Sequence, residues 1–237
     1  METIVILQSN YIPWKGYFDL IHDADLFVFY DDVKYTKNDW RNRNNIKTES
    51  GTKWLTISIE SHSSQKICEV KFKEPRWNIK QWETIKQFYS KAPFFKQYKE
   101  FFEDIYLIQS YNGLSDLNQS IIKRISREIL GINTVFQDSR IYNAVGTKTD
   151  RLLDIIKKTN CSTYVSGPAA KSYLEENAFK ESGIELIYKN YDGYPEYPQL
   201  GEAFNHNVTI LDLIFNVGPE APYYIWGWRD CHKAVKG

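Results

Sequence analysis

Apolar runs without polar interruption alternate along the chain with patterns of helical period. Residues Thr3–Leu7 and Leu26–Tyr30 form two such runs. Their β-branched and aromatic side chains are typical of strands buried on both faces of a parallel sheet. Residues 16–22 lie between them and have the length of a short helix. The chain therefore opens with a predicted strand–helix–strand unit.

Similar patterns continue through the rest of the chain. Further strands are predicted at residues 53–59, 67–72, 134–137, 163–166 and 184–188. Helices are predicted at residues 77–89, 94–111, 117–130, 149–158, 169–177 and 208–216, with Thr149 and Asn207 as candidate N-caps. A mostly helical block at about residues 75–130 thus separates two regions of alternating strands and helices. This order predicts an α/β fold, a Rossmann-like parallel sheet flanked by helices with a helical insertion, in a single domain of residues 1–237.

Composition narrows the class of protein. The 30 basic and 30 acidic residues balance, so no specific nucleic-acid partner is expected, because such binders usually carry a basic excess. Three cysteines lie far apart, without the spacing of a disulfide scaffold or a zinc site. The opening METIVILQSN has no basic n-region, and no run reaches the roughly 18 to 20 apolar residues of a membrane helix. A cytoplasmic, metal-free protein without a membrane span is predicted.

The first candidate site is the segment QSNYIPWKGY, which follows the first strand. In open α/β sheets ligands bind beyond the carboxyl ends of the strands. Gly16 permits a ligand to approach a helix N-terminus, which attracts anions. The alternative is a glycine that only lets the helix pack on the strand. The substrate-binding candidates of this loop are Gln8, Tyr11, Trp14 and Gly16.

The second candidate segment, DDVKYTKNDWRNRN, follows the second strand and is densely polar. A carboxylate here can act as a general base, the cations suit a diphosphate, and a tryptophan can stack on a base or a sugar. The alternative is a solvated loop with ion pairs inside the chain. The catalytic candidates are Asp32 and Asp31, and the substrate-binding candidates are Lys37, Trp40, Arg41 and Arg43.

The third candidate segment, YVSGPAAKSY, again follows a strand. Ser166 and Gly167 lie at the predicted turn, and Lys171 lies one helical turn further on. Backbone N–H groups at such a turn, together with the lysine, form a plausible phosphate cradle. The alternative is an ordinary capped helix.

Four blocks of the sequence together resemble the WbqC-like family: ILQSNYIPWKGYFDLI, ADLFVFYDDVKYTKNDWRNRN, YVSGPAAKSYL and TILDLIFNVGP. The resemblance implies a role in bacterial surface polysaccharide biosynthesis, especially of O-antigen. The first loop is also similar to that of the nucleotidylyltransferases and pantothenate synthetase. The histidines of their His-x-Gly-His motif would align with Trp14 and Tyr17, so both are absent here. This departure argues against the usual adenylyl chemistry.

These blocks and the resemblance lead to one leading hypothesis and two alternatives. The leading hypothesis is an enzyme that acylates or aminoacylates the nitrogen of an amino sugar linked to a nucleotide, with Asp32 or Asp31 taking the amine proton. The alternatives are a non-catalytic nucleotide-sugar-binding protein of the same pathway and a divergent nucleotidyltransferase. An activated acyl or aminoacyl donor, or ATP, is the candidate cosubstrate. The sequence leaves open whether the chain forms a homodimer.

Overall fold

A computed structural model describes residues 2–62, 64–201 and 203–229, so that Cys231 lies outside the described residues. The strands are β1 (Glu2–Leu7), β2 (Leu26–Phe29), β3 (Arg43–Thr48), β4 (Gly51–Thr56), β5 (Ile59–Glu60), β6 (Lys71–Phe72), β7 (Val135–Asp138), β8 (Cys161–Ser166) and β9 (Glu185–Tyr188). The α-helices are α1 (Lys15–His22), α2 (Trp77–Tyr89), α3 (Phe95–Glu103), α4 (Leu114–Arg124), α5 (Lys148–Lys157), α6 (Glu176–Glu181) and α7 (Ile210–Val217).

Five of these strands form a parallel sheet in the order β7-β2-β1-β8-β9. The chain runs outward from β1 through β2 to β7, then returns to the other side of β1 with β8 and continues to β9. The direction of winding therefore reverses between β1 and β8, which is the switch point at which open α/β sheets bind ligands. The predicted Rossmann-like α/β fold is confirmed.

Both faces of the sheet are covered, because alternate side chains of each strand enter opposite cores. Val5 of β1 packs with α1, α7 and the helices of the insertion. Ile4 and Ile6 pack on the other face, with α5 and α6. A strand that is buried on both faces needs apolar side chains at successive positions. This explains the continuous apolar run in the sequence of β1.

The insertion between β2 and β7 contains a hairpin of β3 and β4 followed by helices α2 to α4. Its helices share one core with the sheet, and buried aromatic rings such as Trp82, Tyr106 and Phe102 fill much of that core. None of the helices in the described part of the chain is long and apolar enough to cross a membrane.

Several predicted elements need correction. Residues 43–48 read as a polar loop, but they form β3, because its main chain pairs with β4 and its polar side chains find partners in the fold. Residues 67–72 contain a 3-10 turn, Ile67–Glu69, and only Lys71–Phe72 pairs as a strand. The predicted helix 94–111 ends its α-helical part at Glu103 and continues as a π turn.

The third candidate segment also differs from its prediction. Residues Pro168–Ser172 form a 3-10 turn, and α6 begins only at Glu176. Leu174, between the two, is buried in the second core, so the chain turns inward before the helix begins. The helix N-caps also move: Thr147 precedes α5, and Thr209 precedes α7.

Asp212 of α7 is a fully buried carboxylate. The Tyr89 hydroxyl donates a hydrogen bond to it at 3.2 Å, and the Gln199 amide donates one at 2.7 Å. Burial raises the pKa of the Asp212 carboxyl to about 6, although these donors act in the opposite direction. Between roughly pH 4 and pH 6 the folded chain therefore keeps a proton that the unfolded chain has released.

We expect this proton to make the fold less stable as pH rises through that window. A pKa raised by about two units corresponds to about 3 kcal/mol of unfolding free energy, lost between roughly pH 4 and pH 6. Asp212→Asn removes this group. Between roughly pH 4 and pH 6 the unfolding free energy of the variant should therefore rise relative to that of the wild type by about 3 kcal/mol. Urea unfolding at four pH values, with exposed Asp192→Asn as the control, measures the difference. A constant difference at all four values would contradict the prediction.

Candidate functional site

The loop after β1 is held from two sides at the carboxyl edge of the sheet. The Asn44 amide of β3 donates to the Tyr11 and Ile12 carbonyls at 3.2 and 2.9 Å. Ile12 has a positive φ of 41°, which is unusual for a β-branched residue and marks a tight turn. On the other side, the first turn of α7 donates its Ile210 N–H to the Pro13 carbonyl at 3.0 Å. The loop is thus fixed by the hairpin and by α7.

The same loop explains the Gly16 of the sequence. The indole of Trp14 lies on the start of α1, and a Cβ atom at position 16 would overlap its six-membered ring. Tyr191 and Tyr194 meet the Trp14 ring edge-on, with centroids 5.0 and 6.1 Å away. Gly16 therefore makes room for a side chain of its own chain, which neither interpretation of the sequence anticipated.

Tyr11, a predicted ligand contact, lies in the core. It is 0% exposed, and its hydroxyl pairs with that of Tyr106 at 2.8 Å and donates to Gln81 at 3.3 Å. A ring enclosed in this way presents no face to a ligand. The prediction that Tyr11 binds substrate is therefore corrected, and of the two aromatic candidates of this loop only Trp14 lines a cavity.

Arg41 is the cation that the structure brings closest to the first loop. Its guanidinium donates hydrogen bonds to the side-chain oxygens of Gln8 and Asn10, and Asp39 lies 3.5 Å away. The Asn118 amide of α4 holds the Arg41 carbonyl at 2.8 Å. The side chain is 13% exposed, and its buried Nε has no partner among the described residues. Two neutral amides and the Asp39 carboxylate therefore fix the guanidinium beside the first loop.

The other predicted cations of the second segment lie further out. Arg43 of β3 stacks on the ring of Trp54 at 4.3 Å and donates to the Asn38 carbonyl. Trp54 in turn lies 5.6 Å from Trp40, and both indoles are more than two-fifths exposed. Lys37 is exposed in the same loop. These groups form an outer wall beside Arg41.

Asp31 and Asp32 have separate roles in the structure. Asp31 is 0% exposed and accepts hydrogen bonds from the Ser9 N–H, the Ser115 hydroxyl and the Gln119 amide, at 2.8, 2.5 and 3.1 Å. Asp32 forms an ion pair with Arg151 of α5. The oxygens of both carboxylates are therefore already engaged.

Asp32 has one more partner, the hydroxyl of Ser139, which donates to it at 2.6 Å. Its side chain is 10% exposed, and that of Arg151 is 22% exposed. The Arg151 guanidinium also lies 5.8 Å from the ring of Tyr30, the residue that follows β2. A second cation thus stands at this edge of the sheet, on the face that α5 covers.

The third segment has fewer features of a phosphate cradle than the sequence predicted. Ser166 is buried, and Gly167 has no positive φ that would require glycine. Lys171 is exposed and lies 5.1 Å above the ring of Tyr188. Because Pro168–Ser172 is a 3-10 turn, the α-helix N-terminus on which the predicted cradle depended is absent from this place. Lys171 is therefore an exposed charge at the edge of the sheet, next to the ring of Tyr188.

A small cavity opens beside Arg41. Its volume is about 160 Å³, and none of its lining side chains is charged: they are Asn10, Pro13, Trp14, Trp40, Asn44 and Asn207. A larger space of about 890 Å³ lies at the opposite edge, where Glu2, Leu26, Val135 and Cys161 begin their strands. Ligands of open α/β sheets bind at the carboxyl edge. We therefore take the small cavity and Arg41 as the candidate site.

Several residues of this site escaped the sequence analysis. Asn10 and Asn44 lie inside the segments that were singled out, but an asparagine in a polar loop has no distinctive pattern. Asn207 and Arg151 come from distant parts of the chain, and only the tertiary fold brings them to this edge. A stronger signal was available for Asn44, because the run RNRNN repeats amide side chains within a segment that follows a buried strand.

The fold and the candidate site define a Rossmann-like α/β protein with a polar, aromatic cavity beside the loop that follows β1. The profile of the WbqC-like protein family matches residues 8–224, and the chain belongs to that family. It is 42% identical to the uncharacterized protein Rv1507c of Mycobacterium tuberculosis, over 95% of this chain and 98% of that protein. No solved structure matches the chain. The similarity to nucleotidylyltransferases is not shown by these matches.

The contact between Gly16 and Trp14 can be tested in a double-mutant cycle. Alanine favours a helix over glycine by about 1 kcal/mol, yet Gly16→Ala should destabilise the fold by about 1–3 kcal/mol, because the new methyl group displaces the indole. In a Trp14→Leu background the same change should be neutral or stabilising. Urea unfolding of the four proteins measures the coupling. Equal effects of Gly16→Ala in both backgrounds would contradict the packing account.

Proposed function

We propose that this protein binds a nucleotide-linked amino sugar at the carboxyl edge of its sheet and acylates or aminoacylates the sugar nitrogen. The product belongs to bacterial surface polysaccharide biosynthesis, of which O-antigen is an example. The observation that carries the proposal is Arg41, a nearly buried cation fixed by the amides of Gln8 and Asn10 beside an aromatic cavity. A fixed cation next to an uncharged cavity suits a ligand with an anionic and a neutral part.

The charges support a diphosphate as the anionic part. A guanidinium presents a planar set of donors that matches phosphate oxygens. The Arg41 guanidinium contacts two neutral amides and one half-buried carboxylate, Asp39 at 3.5 Å, which a phosphate could displace or share it with. Lys171 adds an exposed positive charge on the neighbouring side of the edge, whereas Arg151 there is paired with Asp32. Phosphates on this edge would bind where open α/β sheets commonly bind them.

In the proposed reaction the sugar amine attacks the carbonyl carbon of an activated acyl or aminoacyl donor. A carbon–nitrogen bond forms, the bond to the donor's leaving group breaks, and the amine proton passes to a base. Asp32, which follows β2 and is 10% exposed, is the proposed base. Both of its oxygens already accept a hydrogen bond, from Ser139 and from Arg151, so the proton would have to be taken on a remaining lone pair.

That engagement favours a second candidate function, a nucleotide-sugar-binding protein without catalysis. Asp31 and Asp32 both have the surroundings of structural carboxylates. A binding protein would need Arg41 and the cavity but no free base. Thermal unfolding with ATP, UDP-sugars or dTDP-sugars present detects the ligand class, since saturating ligand raises stability, and turnover separates the two candidates.

Arg41→Ala should weaken the binding of nucleotide sugars by about ten- to a hundredfold, because a charge-assisted hydrogen bond is worth about 1.5–3 kcal/mol. Arg41→Lys should recover only part of it, since an ammonium cannot contact both amides and a phosphate in one plane. Arg76→Ala is the matched control, because Arg76 is an exposed arginine that precedes α2 and does not line the cavity. Calorimetric titration measures the affinities. Normal binding by Arg41→Ala together with early unfolding would place Arg41 in internal packing and refute the site.

Replacing the two aspartates should have different effects. Asp32→Asn should lower turnover by roughly 10² to 10⁴ with little effect on binding, because it removes the proton acceptor and keeps the shape. Asp31→Asn should instead lower stability by about 1–3 kcal/mol, because it disturbs three buried donors. Single-turnover acyl transfer and urea unfolding provide the two measurements. Full activity of Asp32→Asn rules out its role as base, and no turnover by the wild type across a broad donor panel supports the binding protein.

A further inference from the structure

The cavity beside Arg41 is sized for one ring. At about 160 Å³ it is close to the roughly 150 Å³ of an engineered cavity that holds benzene. A complete nucleotide sugar, with its base, ribose and sugar, needs a pocket several times larger. Only one ring of such a ligand can therefore lie in this cavity, and the other parts must lie outside it.

The lining supplies apolar faces. Trp14 and Pro13 belong to the fixed first loop, and Trp40 stands at the mouth with 42% of its surface exposed. An indole offers a flat apolar face with a polar edge. Such a face can cover the C–H side of a pyranose or the plane of a nucleobase, so the aromatic groups alone do not choose between the two.

The polar groups of the lining are amides. Asn44 is committed to the main chain of the first loop. Asn10 uses its oxygen to hold Arg41, and its NH₂ group has no partner among the described residues. The side-chain amide of Asn207 is likewise unpaired in the described part of the chain, and it is exposed. Two amides are thus free to bind hydroxyl groups, and no charged side chain within residues 2–62, 64–201 and 203–229 lines the cavity.

The position of Arg41 decides which ring fits. Asn10 lines the cavity and binds the guanidinium directly, so only one side chain separates the cavity from the cation. In a nucleotide sugar the phosphate is bonded to the anomeric carbon of the sugar ring itself. The nucleobase is separated from its phosphate by the ribose. A ring in the cavity with a phosphate on Arg41 therefore matches the sugar and not the base.

We propose that the cavity formed by Trp14, Trp40, Asn10 and Asn207 is the glycosyl subsite, and that Arg41 binds the phosphate on the anomeric carbon. This assignment rests on the proposed function and adds the orientation of its substrate. The nucleoside then lies outside the cavity, along the edge of the sheet. The protein consequently recognises a sugar 1-phosphate even when no nucleoside is attached.

The test is calorimetric titration of the whole protein with three classes of probe. They are sugar 1-phosphates (glucose 1-phosphate and N-acetylglucosamine 1-phosphate), the corresponding UDP- and dTDP-sugars, and UDP and dTDP alone. Trp40→Ala and Asn207→Ala should each lower the affinity for sugar 1-phosphates and for nucleotide sugars by about five- to tenfold. They should leave the affinity for UDP and dTDP within twofold. Tyr223→Ala, a half-exposed aromatic residue outside the cavity, is the control and should change nothing.

Each failure has a separate meaning. If Trp40→Ala weakens UDP or dTDP as much as the nucleotide sugars, the base occupies the cavity and the glycosyl subsite is wrong, while the proposed function stands. If nucleotide sugars bind but neither variant changes their affinity, the subsite is again wrong. If no probe of the panel binds to the wild type, both the subsite and the proposed function are overturned.

Discussion

A buried carboxylate at the end of β2 fixes the edge of the sheet on which the site depends. Asp31 accepts the Ser9 N–H of the first loop, and it also binds Ser115 and Gln119 of α4. The Gln119 amide also donates a hydrogen bond to Asp138, at the end of β7, at 2.8 Å. A charge without solvent must have such partners, because an unpaired one would cost several kcal/mol. The need to satisfy Asp31 therefore couples the sheet, the first loop and the helical insertion.

The first loop shows the same dependence on distant groups. Its carbonyls at Tyr11, Ile12 and Pro13 are satisfied by Asn44 of the hairpin and by the first turn of α7. Buried backbone groups need hydrogen-bond partners. This loop is not part of a β-sheet, so its carbonyls accept hydrogen bonds from neighbouring elements. This arrangement holds the cavity in shape before any ligand arrives, which lowers the ordering cost of binding.

Most of the aromatic residues serve the core and not the site. Rings such as Trp82, Tyr89 and Phe215 pack against one another between the insertion and α7. Among the aromatic residues that the structure describes, only Trp14 and Trp40 line the candidate cavity. A helical insertion that covers one face of a parallel sheet needs large side chains to fill the space between them. A high aromatic content is therefore explained by packing before it is explained by ligand binding.

The sequence by itself determined the α/β class, and it also selected the edge of the sheet at which we propose the site. Continuous apolar runs identify β1 and β2, because strands buried on both faces have no polar alternation. The loops after them were recognised because ligand chemistry concentrates beyond strand ends. Family membership also followed from the sequence, since the blocks quoted there fall within or overlap the matched residues 8–224.

Only the tertiary structure decided which of the candidate site residues lie close to one another. Tyr11 and Trp14 look alike in the sequence, yet one ring is enclosed by Tyr106 and Gln81 and the other lines the cavity. Likewise Arg41 faces Gln8 and Asn10, while Arg43, two residues on, stacks on Trp54. Local patterns reflect strand and helix formation, which act over a few residues. The burial and pairing of a side chain depend on partners far away in the chain, such as Asn207 and Arg151, which no local pattern contains.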